Sequence, residues 1–308
     1  RAGDDDDDLL SLRSPVNKYP AFVTYMVQHL KATCPLMEKR RIAQILTRRG
    51  LDICASTVSR MIKSPREKRP GRPPPDRSDC DTVFKQIDSK YPNHLWHVDL
   101  TVIPTESGRR VSWFPFSLPQ VWPFVWHVAF VVDSFSRAAI GFCVFKKEPT
   151  AREVTAALEE AIHRTGKAPP HLVSDKGPQF NSRHFREWCR ERNIVPRYGA
   201  IGKHGSIAVV EGFIRSVKEE CTQQMTIPMA TAEVRKELQF YVRWYNHARP
   251  HQTVDNQTPA EAYRSRSRNG PPTSPRTGNN CDLQPQALEI DYLHGRRHLP
   301  IVSLHRAA

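Results

Sequence analysis

An α/β fold is what this sequence predicts: a mixed five-stranded sheet flanked by helices, preceded by a small all-α domain. Two patterns point to it. Apolar residues recur at helical spacing early in the chain. Later, three strand-like runs follow one another and then give way to alternating helix and strand, an order that places helices on both faces of a mixed sheet. The length, 308 residues, has room for about two domains at roughly 150 residues each.

Residues 1–18 read as an acidic flexible tail, because the adjacent charges of Asp4–Asp8 repel one another and stay solvated rather than gather round a metal. Arg1 in first place suggests a start further upstream. From Tyr19 the pattern turns helical. Pro20 suits a first turn, and Phe22, Met26, Val27 and Leu30 share one face. A second helix spans about Met37 to Leu46, Gly50 ends it, Leu51 and Ile53 anchor the turn, and Ser56 to Lys63 makes a third. Residues 19–64 thus form a helix-turn-helix pattern, with an ordinary helical hairpin as the plainer alternative. Its candidate DNA contacts are Arg40, Arg41, Thr57, Ser59, Arg60 and Lys63. Proline density makes 65–91 an extended basic linker carrying Arg69 and Arg72. Gly71-Arg72-Pro73 partly resembles arginine arms that enter the minor groove, but Pro70 displaces the flanking Arg, which favours a plain basic linker.

Residues 92–265 carry the sheet. Leu95 to Ile103 alternates: Trp96, Val98, Leu100 and Val102 point one way, His97, Asp99 and Thr101 the other. Residues 125–133 and 138–145 are two more strands joined through Asp133-Ser134-Phe135-Ser136-Arg137. Thr150-Ala151-Arg152-Glu153 is a capping box opening a helix with Val154, Leu158, Ala161 and Ile162 inward. A short strand, His171 to Ser174, ends at Asp175; a helix through Phe185, Trp188 and Cys189 follows, then a strand at Ile194-Val195 and a long helix carrying Glu211. The Pro- and aromatic-rich segment 105–124 makes the first connection much longer than a tight hairpin. Residues 266–308 form a tail with a β-hairpin, Leu288 to Leu293 and His298 to Leu304 around Gly295-Arg296-Arg297.

Composition narrows the partners. The formal charge is +14, and it rises to +18 once residues 1–8 are left out. That balance favours a polyanion, since each Lys or Arg set against a phosphate releases condensed counterions. Seven scattered cysteines without a Cys-x-x-Cys pair argue for reduced thiols, neither a disulfide framework nor a zinc module. No apolar run approaches the ~20 residues of a membrane span, so no membrane partner is expected.

Three carboxylates then stand out: Asp99 inside an apolar strand, Asp175 at a strand end before Gly177, and Glu211 on an amphipathic helix. An acid is a poor strand former, so Asp99 needs a reason. Phosphodiester cleavage supplies one, because it needs an activated oxygen nucleophile and relief of charge on the phosphorus, and carboxylates are the hard ligands of Mg²⁺. Taken singly, Asp175 reads as well as a turn cap, and Glu211 as a surface ion pair with Arg215 at i,i+4. Gly212 weakens its helix and suggests close approach of a metal or of backbone.

The wider pattern favours the metal reading. Trp96-His97-Val98-Asp99, Val132 to Arg137, Ser174 to Phe180, Gly205 to Glu211 and Lys218-Glu219-Glu220, in this order, resemble the integrase core of bacterial insertion-sequence transposases. That family is similar to retroviral integrases, with an RNase H-like fold and an Asp, Asp, Glu triad whose last two members have 35 residues between them, as Asp175 and Glu211 do. The resemblance continues through Tyr245 to His251 and Thr258 to Glu261, and back through the helix-turn-helix, covering roughly 19–265.

It implies that Asp99, Asp175 and Glu211 are the catalytic residues and the ligands of two Mg²⁺ ions, with Mn²⁺ able to substitute. Water would cut a strand at the element's terminal repeats, and the freed 3′-hydroxyl would attack target DNA, without a covalent protein intermediate. Double-stranded DNA is then the partner of a homo-oligomer, at least a dimer, in the bacterial cytoplasm at the nucleoid. Lys203, Arg215 and Lys218 become phosphate contacts, although Lys203 and His204 read equally as parts of a structural loop. Tyr245, Asn246 and Arg249 read as fold-stabilising. Two rivals stay open: a non-catalytic DNA-binding derivative of such an element, and a nuclease without strand transfer.

Overall fold

The computed structural model describes residues 19–62, 88–105, 122–199, 207–265 and 286–306. They fall into two compact units, 19–62 with 286–306 and 88–265.

Helical periodicity ahead of residue 63 is realised as α1 (Ala21–Thr33), α2 (Lys39–Arg48) and α3 (Ala55–Ile62). Pro20 stands at the N-cap of α1, just before the expected first turn. Val23, Met26, Val27 and Leu30 of α1 pack with Ile42, Ala43 and Leu46 of α2 and Val58 of α3. Gly50 ends α2 at φ +89, a left-handed conformation that costs a glycine little. Leu51 N–H returns to the Leu46 carbonyl at 3.0 Å, and buried Leu51 and Ile53 lead the chain into α3.

Five strands make the sheet of the second unit: β1 (Leu95–Pro104), β2 (Val125–Asp133), β3 (Ala139–Phe145), β4 (His171–Ser174) and β5 (Val195–Tyr198). Their order is β3-β2-β1-β4-β5, with β1, β2 and β3 antiparallel and β4 and β5 added in parallel. All nine residues of β2 are buried, as befits a strand covered on both faces. The helices are α4 (Ala151–Thr165), α5 (Arg183–Glu191), α6 (Ala208–Val217), α7 (Thr231–His247) and α8 (Pro259–Ser265), and a π-helical turn, Lys218–Thr222, prolongs α6. The capping box at Thr150 and Glu153 forms in both directions. On one face of the sheet, Trp96, Val98 and Val131 meet Val154, Leu158 and Ala161 of α4 and Phe185, Trp188 and Cys189 of α5. On the other, Phe130 of β2 meets Phe213 of α6 edge-on at 5.2 Å, and Phe213 in turn meets Tyr245 of α7 at 4.7 Å.

The last two strands, β6 (Gln286–Tyr292) and β7 (Pro300–Arg306), form an antiparallel hairpin within the first unit. Leu288 faces Leu304 and Ile290 faces Val302, and these four pack on the three-helix core. Arg49 also donates to the Val302 carbonyl at 3.0 Å. Strand alternation therefore gives the hairpin one buried face, as it does in the main sheet.

Candidate active site

Strand alternation turns Asp99 away from Trp96, Val98 and Leu100, which enter the core under α4 and α5. It lies opposite Phe130 on β2, hence on the face covered by α6. The parallel register pairs His97 with Val173, and two further residues bring Asp175 level with Asp99. Buried Phe180 anchors the loop after Asp175, and the Tyr198 hydroxyl clips it by donating to the Phe180 carbonyl at 3.0 Å.

The third acid arrives from above. Val210, Phe213, Ile214 and Val217 are buried, which leaves Glu211 exposed on α6. Among the described residues the Glu211 carboxylate makes neither an ion pair nor a hydrogen bond, so the i,i+4 pair with Arg215 is not formed. A Cβ on Gly212 would meet nothing within 4 Å, so the close backbone approach expected there is not found.

The three carboxylates feel one another. Burial pushes the Asp99 carboxyl up to about 6; a hydrogen bond from Leu100 N–H opposes this, repulsion from Asp175 and Glu211 adds to it, and Lys218 pulls it down. A half-buried acid repelled by two others is the environment that a bound cation relieves. Two side chains are turned onto backbone: Asp99 Oδ1 accepts from Leu100 N–H at 2.8 Å and Asp175 Oδ1 from Gly177 N–H at 3.1 Å. The turn-capping role considered for Asp175 is thus real. In this arrangement no three His, Cys, Asp or Glu side chains among the described residues form a ready metal cage.

The donor set nonetheless fits a hard divalent ion, since all three groups are carboxylates within electrostatic reach of Asp99. Space is kept for it beside Asp175. A Cβ at position 177 would lie 3.1 Å from Asp175 Oδ1 and 3.1 Å from Gln179 Oε1, so glycine leaves the carboxylate free to turn.

What holds α6 in place lies beyond it. Glu220, in the π-helical turn, receives Arg249 through two bonds of 3.0 and 2.9 Å and the Tyr241 hydroxyl at 3.2 Å. Arg249 lies 5.3 Å from the centre of the Tyr245 ring. Asn246 bonds both the N–H and the carbonyl of Ala139, at 3.0 and 2.9 Å, and so occupies the edge of β3 as a neighbouring strand would. Tyr245, Asn246 and Arg249 are structural, as their sequence context indicated.

Two features escaped the sequence reading. Gln179 donates to Glu148 at 2.8 Å, which brings a further acid to the rim of the Asp175 loop; Lys146-Lys147-Glu148-Pro149 holds no pattern that signals it. Asp133 is an acid in an apolar strand like Asp99, yet it accepts from Asn93 N–H, Ser136 N–H and Ser136 hydroxyl at 2.8, 2.8 and 2.6 Å. It fastens the β2–β3 turn.

Of the candidate DNA contacts, Arg40, Arg60 and Arg215 are exposed, and Arg41, Thr57, Ser59 and Lys218 are partly buried. Arg60 donates to Thr57 Oγ1 at 3.1 Å. Lys63, Arg69, Arg72, Lys203 and His204 lie outside the described residues, as does most of the 105–124 connection.

Residues 89–204 match the integrase core domain model and residues 192–259 a second integrase core domain model, together more than half of the chain. A Mycobacterium tuberculosis protein named as a transposase for insertion sequence element IS986/IS6110 is 26% identical over 237 residues, 72% of this chain and 79% of that protein. The Escherichia coli transposase InsD of insertion element IS2 is 23% identical over 261 residues, 80% of each chain. Among solved structures, the HTLV-2 integrase catalytic core domain in complex with magnesium aligns with a TM-score of 0.41 at 21% identity, over 56% of this chain and 97% of that one.

Proposed function

The chain belongs to the insertion-sequence transposases with an integrase-like core, and we propose that Asp99, Asp175 and Glu211 are the carboxylates with which it cuts element ends and joins them to target DNA. The observation that carries the assignment is electrostatic: Asp99, half-buried on β1, is raised both by its burial and by Asp175 and Glu211, acids brought to it from two other elements. Residues that repel one another this way have a use once a divalent cation, Mg²⁺ or Mn²⁺, is shared among them.

Bound there, divalent ions supply the Lewis acidity that makes a water or a 3′-hydroxyl nucleophilic near neutral pH and offsets charge on the phosphorane. The protein's own part is positioning. Asp99 is fixed by a central strand, Asp175 by a loop pinned at Phe180, and Glu211 by a helix packed through Phe213 on Phe130. Lys218, within electrostatic reach of Asp99, offers a cation to the scissile phosphate, and exposed Arg215 another one turn away on α6.

In the first step water oxygen attacks the phosphorus and loses a proton to solvent, and the bond to the 3′-oxygen breaks, that oxygen taking up a proton to leave as a 3′-hydroxyl. In the second that 3′-hydroxyl attacks a target phosphodiester and a new 3′-hydroxyl leaves, so bond number is conserved and no external energy is needed. The three-helix unit, with Arg40, Arg41, Thr57, Ser59, Arg60 and Lys63, is assigned to reading the element ends. Processing two ends in one event calls for at least two protomers.

A labelled-end assay on duplexes carrying the element's termini tests the assignment. With Mg²⁺ the wild type should nick and join, whereas Asp99→Asn, Asp175→Asn and Glu211→Gln should lose both reactions by more than about 10³-fold while still binding. Binding without either reaction in the wild type would sink the proposal, and nicking without joining would reduce the enzyme to a nuclease.

A further inference from the structure

The carboxy-terminal hairpin has three surfaces of different character. Leu288, Ile290, Val302 and Leu304 are given to the three-helix core, and Arg49 ties the strand to it through the Val302 carbonyl at 3.0 Å. The opposite face carries Glu289 and Asp291; Glu289 pairs with His305 at 2.9 Å. That face is acidic and suits no polyanion. The connection between the strands reverses the sign, with His294, Arg296, Arg297 and His298 in five residues.

That tip is ordered. Leu293 N–H reaches the Leu299 carbonyl at 3.0 Å, Leu299 N–H returns to Arg296 at 2.8 Å, and Leu299 is fully buried beneath the turn. His294 and Gly295 take left-handed φ values of +49 and +73, which turns the chain back sharply between the strands. Arg296 donates to the His294 carbonyl at 3.1 Å. Arg297 is exposed and makes no ion pair or hydrogen bond among the described residues. A turn whose backbone is held by hydrogen bonds presents its cations to phosphate with less ordering cost than an unbonded segment would.

We propose that the carboxy-terminal hairpin is a second DNA-contacting element of the three-helix unit, its Arg296–Arg297 tip holding the phosphate backbone of the duplex that the helices read. The inference rests on the proposal that this unit binds element-end DNA. It makes the end-binding surface a joint product of residues 19–62 and 286–306, two segments that flank residues 88–265 in sequence. The helices would supply groove contacts and the hairpin would fix register, a division in which phosphate contacts position the protein and base contacts specify sequence.

Each phosphate contact contributes about 0.9 to the slope of log affinity against log salt. Fluorescence anisotropy of the full-length chain on an end duplex, from about 50 to 200 mM salt, reads that slope directly. Arg296→Ala with Arg297→Ala should lower it by about 1.8, so that the wild type loses roughly 12-fold more affinity than the variant across the range. Arg297→Lys should retain the wild-type slope and Arg297→Ala should lose about 0.9, a contrast that a purely structural role would not produce. The melting temperature of the two Arg297 variants should stay unchanged, since Arg297 lies in solvent. Wild-type binding with equal slopes in all variants overturns the hairpin's role and leaves end binding standing. No binding by the wild type overturns both.

Discussion

Replacing Arg249 with Met tests how the Glu211 helix is held. The guanidinium and the Glu220 carboxylate are 13% and 15% exposed and share two bonds of 2.9 and 3.0 Å. Loss of one member of such a pair leaves a charge in a poorly solvated place, at a cost of about 3–5 kcal/mol. The Tyr245 ring beside Arg249 adds roughly 0.5–2 kcal/mol of cation–π attraction that Met does not replace. For a unit the size of residues 74–270, each kcal/mol moves the melting temperature by about 2–4 °C, so a fall of roughly 10 °C or more is expected. Calorimetry of the full chain reads it. Arg249→Met combined with Glu220→Gln should recover much of the loss, because the stranded charge is then gone, and that non-additivity marks a direct pair. A single variant melting within about 2 °C of the wild type would refute the clamp, as would a double variant equal to the sum of its singles.

Two further outcomes follow from the acids themselves. Asp99 is held at about 6 against an ordinary 3.8, so its ionised form destabilises the metal-free fold; the penalty is absent below the ordinary value, grows as pH rises, and is complete above about 6. Asp99→Asn should therefore melt above the wild type at about pH 8 and level with it near pH 4 in chelator, whereas an equal gap at both would contradict the raised carboxyl. Gly177→Ala places a Cβ 3.1 Å from Asp175 Oδ1 and should cut strand transfer at least about 10-fold, with DNA binding intact and a higher Mg²⁺ requirement; wild-type rates at low Mg²⁺ would show that the carboxylate needs no such room.

The parts of the fold legible in sequence are those written in local periodicity. The alternation of Trp96 to Val102 places Asp99 on the correct face, and Thr150 with Glu153 opens α4 where the capping pattern expects. β5 was legible only at its edge, since the expected Ile194-Val195 pair becomes Val195–Tyr198, a partly exposed edge strand without a clear apolar alternation. Distant partnerships left no trace. Glu220, in the π-helical turn after α6, and Arg249 are 29 residues apart, and Arg49 meets Val302 across 253 residues.

Asp99 and Asp133 show where sequence reasoning stops and geometry decides. Both are aspartates in apolar strands of the same sheet, and burial raises the carboxyl of each. A carboxylate can accept about four hydrogen bonds. Asp133 is fully buried and accepts three, from Asn93, from the Ser136 backbone and from the Ser136 hydroxyl, so its lone pairs are committed to the turn it closes. Asp99 accepts one, from Leu100, and the charges that face its remaining lone pairs are two acids and Lys218. Capacity left over, in a place where like charge accumulates, separates a carboxylate that can take a cation from one that holds a loop, and no run of residues in the chain spells out that difference.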